Sequence, residues 1–273
     1  MSDTPPLLVE PLWLSQHSEV RIVDLRWAPA GPPAREKYQQ GHLPGAVFVD
    51  LDRDLSQPGG PGRHPFPSPE AFARLLGRLG IGTQTHVVVY DDATNSVAAR
   101  LWFMLRVHGH ARASLLDGGL TAWVAAGLPL SKDEPRLEPL PPPPLVLDHA
   151  RLLTRAQVEN RGSAALLDAR APERYRGEVE PIDQRAGHIP GALNAPFARN
   201  LTAEQRFLPP AQLRDLYRMY SSPVVSCGSG VTACHDAFAI ELAGLPPARL
   251  YVGSWSDWSS DPSRPIATGP APG

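Results

Sequence analysis

Residues 41–46 of this 273-residue chain, Gly-His-Leu-Pro-Gly-Ala, return almost unchanged as Gly-His-Ile-Pro-Gly-Ala at residues 187–192. An apolar stretch ending in Asp-x-Arg precedes each copy, at residues 22–26 and 166–170. A second apolar, valine-containing stretch follows each copy. Because the order and the spacing of these segments agree in both halves, the sequence indicates a duplicated domain.

Each half alternates strand-like with helix-like segments. This alternation predicts an α/β fold of two domains, each with a mainly parallel sheet flanked by helices. Ser68 and Pro69, followed by apolar residues at helical spacing up to Leu79, are typical of a helix start. The predicted organisation is a first domain at 1–135, a stiff proline-rich linker at 136–150, a second domain at 151–260 and a mobile or draped tail at 261–273.

Composition narrows the choice of partners. The chain has 26 Lys and Arg residues against 28 Asp and Glu residues, a formal net charge of -2. No positive excess is available to bind a polyanion, so nucleic acid and anionic membrane surfaces are poor candidates. No apolar run approaches the ~20 residues that span a bilayer, and residues 1–13 lack the pattern of a signal peptide. With only two cysteines, the chain is expected to be cytoplasmic.

One of these cysteines lies where ligands bind in α/β sheets. Residues 223–226 predict a buried strand, and Cys227 follows it directly, ahead of Gly228, Gly230 and a predicted helix. Glycines allow successive N–H groups to face one point, and the helix N-terminus adds positive potential there. Such a loop favours the thiolate, the nucleophilic form of cysteine. The alternative is an inert buried thiol. The corresponding strand of the first half is followed by Asp91, with no thiol and no glycine.

The repeated motif, Asp-Gly-Gly-Leu-Thr-Ala-Trp at 117–123 and Cys-Gly-Ser-Gly-Val-Thr at 227–232 resemble the tandem-domain rhodanese superfamily. The loop is most similar to that of the 3-mercaptopyruvate sulfurtransferases, because thiosulfate-preferring members usually carry basic residues after the cysteine. The resemblance implies that Cys227 takes a sulfur atom from a small donor as a persulfide and passes it to a thiol, such as thioredoxin or a small thiol, or to cyanide. It implies no metal and no organic cofactor, and a monomer is compatible with two internally paired domains.

The resemblance also implies roles for individual residues. Ser229, His64 and Asp52 match a proton relay. Arg174 matches the arginine that binds the donor's carboxylate or sulfonate. A second arginine is expected at position 181, which is proline here; Arg185 or Arg176 could replace it. The loop residues expected to surround the donor are Gly228, Gly230, Val231 and Thr232.

Plainer interpretations stay open for the residues outside the loop. His64 could be a solvent-facing loop histidine, Asp52 part of a solvated charged turn, and the arginines surface charges. The repeated His42 and His188 are expected to be structural turn residues. Cys234 is expected to be a buried thiol on a helix, with a redox role as the alternative.

Other functions are possible for a loop cysteine. Phosphatases of the Cys-x5-Arg type need an arginine where this chain has Ala233 and Cys234. A serine hydrolase using Ser229 would need Gly-x-Ser-x-Gly, but residue 227 is cysteine. The serious alternative is a sulfur-carrier module, fed by a protein donor, that accepts one sulfur atom without turnover.

Overall fold

A computed structural model describes residues 5–27 and 31–273. The described chain forms two compact units. The first contains the described residues up to Gln57, together with Pro67–Asp148 and Ala203–Arg206. The second contains Pro58–Phe66, His149–Thr202 and Phe207–Gly273. A short segment of each half of the sequence therefore packs with the unit built from the other half.

The first unit is a five-stranded parallel sheet in the order β1-β5-β4-β2-β3. Its strands are β1 (Leu8–Val9), β2 (Arg21–Asp24), β3 (Val47–Phe48), β4 (Val87–Tyr90) and β5 (Ala113–Leu116). Its helices are α1 (Pro11–Ser15), α2 (Ala34–Gln40), α3 (Leu51–Asp54), α4 (Pro69–Arg78), α5 (Ala98–Val107) and α6 (Gly119–Ala125). Strand β4 is buried along its whole length, as expected for a central strand covered on both faces.

The second unit repeats this arrangement with the order β6-β10-β9-β7-β8. Its strands are β6 (Leu152–Leu153), β7 (Leu166–Asp168), β8 (Ala192–Asn194), β9 (Val224–Ser226) and β10 (Arg249–Tyr251). Its α-helices are α7 (Arg155–Glu159), α8 (Pro172–Tyr175), α9 (Pro210–Tyr217), α10 (Ala233–Leu242) and α11 (Ser254–Ser260), with 3-10 turns at His149–Arg151 and Phe197–Asn200. The predicted α/β fold with two parallel sheets is confirmed.

Local chemistry explains why the predicted helix at 69–78 forms where it does. The Ser68 hydroxyl accepts the N–H of Ala71, Pro69 occupies the first turn, and Phe72, Leu75 and Leu76 are buried. One free N–H is thereby satisfied at the start of α4, and the apolar face packs into the core.

The repeated motifs connect strands to turns. Arg26 forms an ion pair with Asp24 and donates to the carbonyl of Gly41 at 2.9 Å. In the second unit, Arg170 pairs with Asp168 and donates to the carbonyl of Gly187 at 2.8 Å. The Asp-x-Arg pattern thus joins the end of β2 or β7 to the following Gly-His turn.

The two turn histidines have matching structural contacts. Each is fully buried and stacks on a tyrosine ring, with centroids 3.8 Å apart: His42 on Tyr38 and His188 on Tyr175. Both ring nitrogens of each histidine lie near backbone carbonyls. These contacts support the interpretation of His42 and His188 as turn residues.

The proline-rich segment and the C-terminal tail both lie along a unit. Leu140 and Asp148 donate their N–H groups to the carbonyls of Gly77 and Val107 in the first unit. In the tail, Ala267 exchanges backbone hydrogen bonds with His188. Across residues 5–27 and 31–273, no helix combines the length and the apolarity needed to cross a membrane.

Candidate active site

The Cys227 thiol lies at the carboxyl end of β9, in the loop that leads into α10. Its Sγ accepts a hydrogen bond from the N–H of Gly230 at 3.1 Å, and the residue is buried. Gly230 adopts φ +76°, a left-handed conformation that glycine tolerates without strain. The turn directs this amide at the sulfur, and the N-terminus of α10 adds positive potential, so the loop is built to hold an anion.

The first turn of α11 holds this loop from behind. The Cys227 N–H donates to Ser254 Oγ at 3.1 Å, and the Cys227 carbonyl accepts the N–H of Trp255 at 3.0 Å. The Gly228 carbonyl accepts the N–H of Ser256 at 2.9 Å. These three bonds fix the backbone on both sides of the thiol.

His64 contacts the loop residue Ser229. Its Nδ1 lies 2.8 Å from Ser229 Oγ, and both residues are buried. The histidine belongs to the segment Pro58–Phe66, which packs with the second unit although it lies within the domain predicted at 1–135. Burial excludes the interpretation of His64 as a solvent-facing loop residue. The pair can move a proton between a hydroxyl and an imidazole next to the thiol.

Two guanidinium groups lie beside Gly228, the residue after the thiol. A Cβ placed on Gly228 would be 3.0 Å from Arg63 Nη2 and 3.5 Å from Arg174 Nη1. The structure therefore brings Arg174 to the loop. Arg63 was not predicted from the sequence; its only signal there is its position directly before His64.

Acidic side chains neutralise these cations in an alternating series. Arg170 pairs with Asp168 at 2.7 Å and with Glu180 at 3.4 Å. Arg174 Nη2 donates to Glu180 Oε1 at 2.6 Å and lies 3.7 Å from Asp183 Oδ2. Asp183 in turn pairs with Arg63. Burial alone would raise the pKa of Glu180, but the hydrogen bond and charge of Arg174, together with two backbone N–H groups, hold that pKa below its usual range.

The remaining predicted residues have other contacts. Asp52 belongs to the first unit, in α3, where its Oδ2 accepts the indole N–H of Trp27 at 2.8 Å. Arg185 donates from Nη1 and Nη2 to the carbonyls of Asp261 and Arg264 at 2.9 and 3.0 Å. These bonds attach the tail, so the structure gives Arg185 a structural contact rather than a place beside Gly228.

The end of the loop starts α10. The carbonyls of Val231 and Thr232 accept the N–H groups of Cys234 and His235, both at 3.1 Å. Cys234 is buried on the helix, and its thiol donates to the Gly230 carbonyl at 3.3 Å. Cys234 thus closes the loop as a helix-face thiol.

The first unit carries a carboxylate where the second carries the thiol. Asp91 follows β4 as Cys227 follows β9, and it is buried. Four backbone N–H groups donate to its two oxygens at 2.8–3.2 Å, from residues 93, 95, 97 and 98. The strand-to-helix loop of this unit thus directs its amides at a carboxyl group, although it contains no cysteine.

The fold and the site together define a two-domain α/β protein with a thiol that accepts a backbone amide in a strand-to-helix loop. A family model described as the rhodanese-like domain matches residues 10–126 and 152–261. The chain belongs to the rhodanese-like family, in which it is a tandem of two such domains.

Relatives cover nearly the whole chain. A Pseudomonas aeruginosa protein named "Probable 3-mercaptopyruvate sulfurtransferase" is 48% identical over 267 residues, covering 92% of this chain and 93% of the relative. The thiosulfate sulfurtransferase of Rattus norvegicus is 37% identical, covering 92% and 91%. The crystal structure of SseA from Escherichia coli, described as a 3-mercaptopyruvate sulfotransferase, has a TM-score of 0.78 and 33% identity and covers 92% of this chain and all of that one.

Proposed function

We propose that this protein is a sulfurtransferase that moves a sulfur atom from 3-mercaptopyruvate, or from thiosulfate, through a persulfide on Cys227 to an acceptor. The observation that carries the proposal is the position of the Cys227 sulfur, which accepts the Gly230 amide in a loop flanked by the Arg174 guanidinium. Relatives at 48% and 37% identity are named as sulfurtransferases, which supports the same chemistry.

The first half-reaction loads the enzyme. The Cys227 thiolate attacks the thiol sulfur of 3-mercaptopyruvate, forming an S–S bond while the C–S bond breaks. The bonding electrons leave on carbon as the enolate of pyruvate, which takes up one proton to give pyruvate. Ser229 and His64, 2.8 Å apart, supply a path for that proton. The resemblance adds Asp52 to this relay.

The second half-reaction transfers the sulfur atom from Cys227 to an acceptor. An acceptor thiolate attacks the outer sulfur of the persulfide, the S–S bond breaks, and Cys227 leaves as thiolate. Cyanide accepts the same sulfur atom to give thiocyanate. The acceptor class is thus a thiol, thioredoxin or a small thiol, or cyanide. We place the reaction in the cytoplasm, since two cysteines are too few for a disulfide framework in a chain of this size. We place it in a monomer, with which two internally paired domains are compatible.

The donor assignment favours 3-mercaptopyruvate. Gly228 and Ser229 leave the loop without the basic residues typical of thiosulfate-preferring members, and Arg174 supplies a fork for a carboxylate. Val231 and Thr232 complete the loop around the donor. Arg185, with its guanidinium on two tail carbonyls, is left out of the proposed donor site.

The test is the intact mass of the reduced protein after brief exposure to each donor, with the modified residue located by peptide mapping. We expect one added sulfur atom at Cys227, faster loading by 3-mercaptopyruvate than by thiosulfate, and none in Cys227→Ser. If Cys227→Ser accepts sulfur normally, the proposal is wrong.

Turnover separates an enzyme from a carrier. Steady-state release of pyruvate with an added thiol is expected here. A single stoichiometric loading without turnover would instead favour a carrier fed by a protein donor.

A further inference from the structure

The two guanidinium groups beside Gly228 are spaced so that one carboxylate can contact both. The Asp183 carboxylate already does so: its Oδ1 pairs with Arg63 Nη1, and its Oδ2 lies 3.7 Å from Arg174 Nη2. Asp183 Oδ2 is buried and makes no hydrogen bond among the described residues. Asp183 thus occupies the cation pair without satisfying both of its own oxygens.

The charged side chains beside Gly228 differ in how firmly they are held; they are Arg63, Arg174, Asp183 and Glu180. The Glu180 side chain is buried, accepts the N–H groups of Ile182 and Asp183, and pairs with both Arg170 and Arg174. It is a fixed counter-ion. The Arg63 side chain is 29% exposed, more than Arg174 at 20%, Asp183 at 8% or Glu180 at 3%. Arg63 is therefore the more accessible of the two cations.

Backbone contacts place Arg63 at the site. Its N–H donates to Ser256 Oγ at 3.1 Å, and Ser256 also binds the Gly228 carbonyl. Gly62, at φ +76°, lies so close to Gly253 that a Cβ would be 2.5 Å from the Gly253 carbonyl oxygen. His64, the residue after Arg63, contacts Ser229. One short segment thus carries both a cation and the proton-relay imidazole.

We propose that Arg63 binds the carboxylate of the sulfur donor together with Arg174, and that Asp183 is the internal carboxylate which the donor displaces from Arg63. This inference rests on the proposed sulfurtransferase function and deepens it by naming a second residue that binds the donor's carboxylate and the internal group that the donor displaces. The guanidinium fork matches a planar carboxylate in two parallel hydrogen bonds. In the absence of donor, the Arg63–Asp183 pair keeps the cation neutralised.

Two alkylating agents test carboxylate recognition apart from sulfur transfer. Iodoacetate and iodoacetamide both form an S–CH2 bond at Cys227 and expel iodide, and they differ in carrying a carboxylate or an amide. Both reactions are followed at Cys227 by peptide mapping. Because the same thiol reacts in both, a change in its reactivity cancels in the ratio of the second-order rate constant of iodoacetate to that of iodoacetamide. We expect Arg63→Met to lower this ratio about tenfold or more, as for the loss of a charged hydrogen bond, and Arg63→Lys to give an intermediate ratio.

The matched variants distinguish binding from a structural role. Asp183→Asn is expected to raise the ratio, because the internal competitor is gone. Arg218→Met, at an exposed arginine at the end of α9, is expected to leave it unchanged. A wild-type ratio in Arg63→Met, or a ratio in Asp183→Asn as low as that of Arg63→Met, would overturn the proposal. Failure of both donors to load sulfur would instead contradict the proposed function, since the ratio is measured without a donor.

Discussion

The contact between Ser229 and His64 determines what the residues next to the thiol can do with a proton. When the imidazole proton is on Nε2, Nδ1 accepts the Ser229 hydroxyl at 2.8 Å. In this tautomer the Ser229 oxygen can receive a proton while its own proton passes to Nδ1. With the imidazole proton on Nδ1 instead, His64 donates to Ser229 Oγ and the hydroxyl can supply a proton. Because both side chains are buried and in hydrogen-bond contact, we expect the pair to act as one unit and not as two independent groups.

Substitution of this pair is expected to slow persulfide formation. Ser229→Ala and His64→Gln each remove the proton path, so each should lower the single-turnover rate with 3-mercaptopyruvate about a hundredfold or more. The double variant should be little slower than either single variant, because residues of one unit are not additive.

Rapid-mixing measurement of pyruvate release checks the effect of these substitutions, with the rate of Cys227 alkylation by iodoacetamide as the control. The alkylation rate is expected to stay near that of the wild type. Multiplication of the two single effects in the double variant would show that Ser229 and His64 act separately.

At the scale of elements, the first turn of α11 connects the thiol loop to the 58–66 segment. Ser254 binds the Cys227 N–H, and Ser256 binds both the Gly228 carbonyl and the Arg63 N–H. Ser254 itself adopts φ +53°, a left-handed conformation that is strained for a residue with a side chain. The strain places its hydroxyl under the loop, where it also donates to the Tyr251 carbonyl.

Two substitutions separate the strain from the hydrogen bond. Ser254→Ala keeps the strain and leaves the buried Cys227 N–H without its acceptor, which should lower the free energy of unfolding by about 1–3 kcal/mol. Ser254→Gly loses the same bond but removes the strain, worth on the order of 1 kcal/mol. Urea denaturation is thus expected to rank the glycine variant between wild type and the alanine variant. A glycine variant less stable than the alanine variant would contradict this account.

At the scale of the whole molecule, the two units share the strand-to-helix loop but hold a different side chain in it. Four amides hold the Asp91 carboxylate in the first unit, whereas in the second unit an amide faces Cys227 Sγ. A carboxylate cannot act as a sulfur nucleophile and carrier as a thiolate can, so only the second unit is equipped for this chemistry. The first unit therefore keeps the fold and the loop but lacks the reactive thiol.

The repeat was sufficient to predict the two parallel sheets, because the strands and turns are marked by short motifs with local causes, such as the Arg170 bond to the Gly187 carbonyl. The order of the strands within each sheet was not predicted. The thiol loop was visible from such a motif as well. Arg63 was not, because its place depends on the close approach of Gly62 to Gly253, which are 191 residues apart (253 − 62). Nothing in the sequence distinguishes Arg63 from Arg185 as a donor-binding residue. Only the fold shows that Arg63 lies beside Gly228.

The second unit also contains a buried acid outside the thiol loop. Asp236 on α10 accepts the amide of Asn200 at 2.8 Å, and the same Asn200 accepts the Tyr217 hydroxyl at 2.7 Å. Complete burial raises the pKa of Asp236 to about 8, and the charge of Asp168 acts in the same direction. The hydrogen bonds from Asn200 and Tyr217 and the charge of Arg199 oppose the shift.

This raised pKa makes the stability of the second unit depend on pH. The unfolded chain ionises Asp236 near its ordinary pKa of 3.8, whereas the folded unit keeps it protonated up to about 8. The stability that Asp236 contributes is therefore fully present below about pH 4 and is lost as the pH rises to about 8, by up to about 1.4 kcal/mol per pH unit. Asp236→Asn has no proton to lose, so its stability relative to wild type should increase steadily across that range.

Hydrogen exchange of the α10 amides, measured at several pH values with correction for the intrinsic exchange rate, reports this difference for the second unit alone. A constant difference between the two proteins from pH 5 to pH 8 would show that Asp236 is ionised in the folded unit.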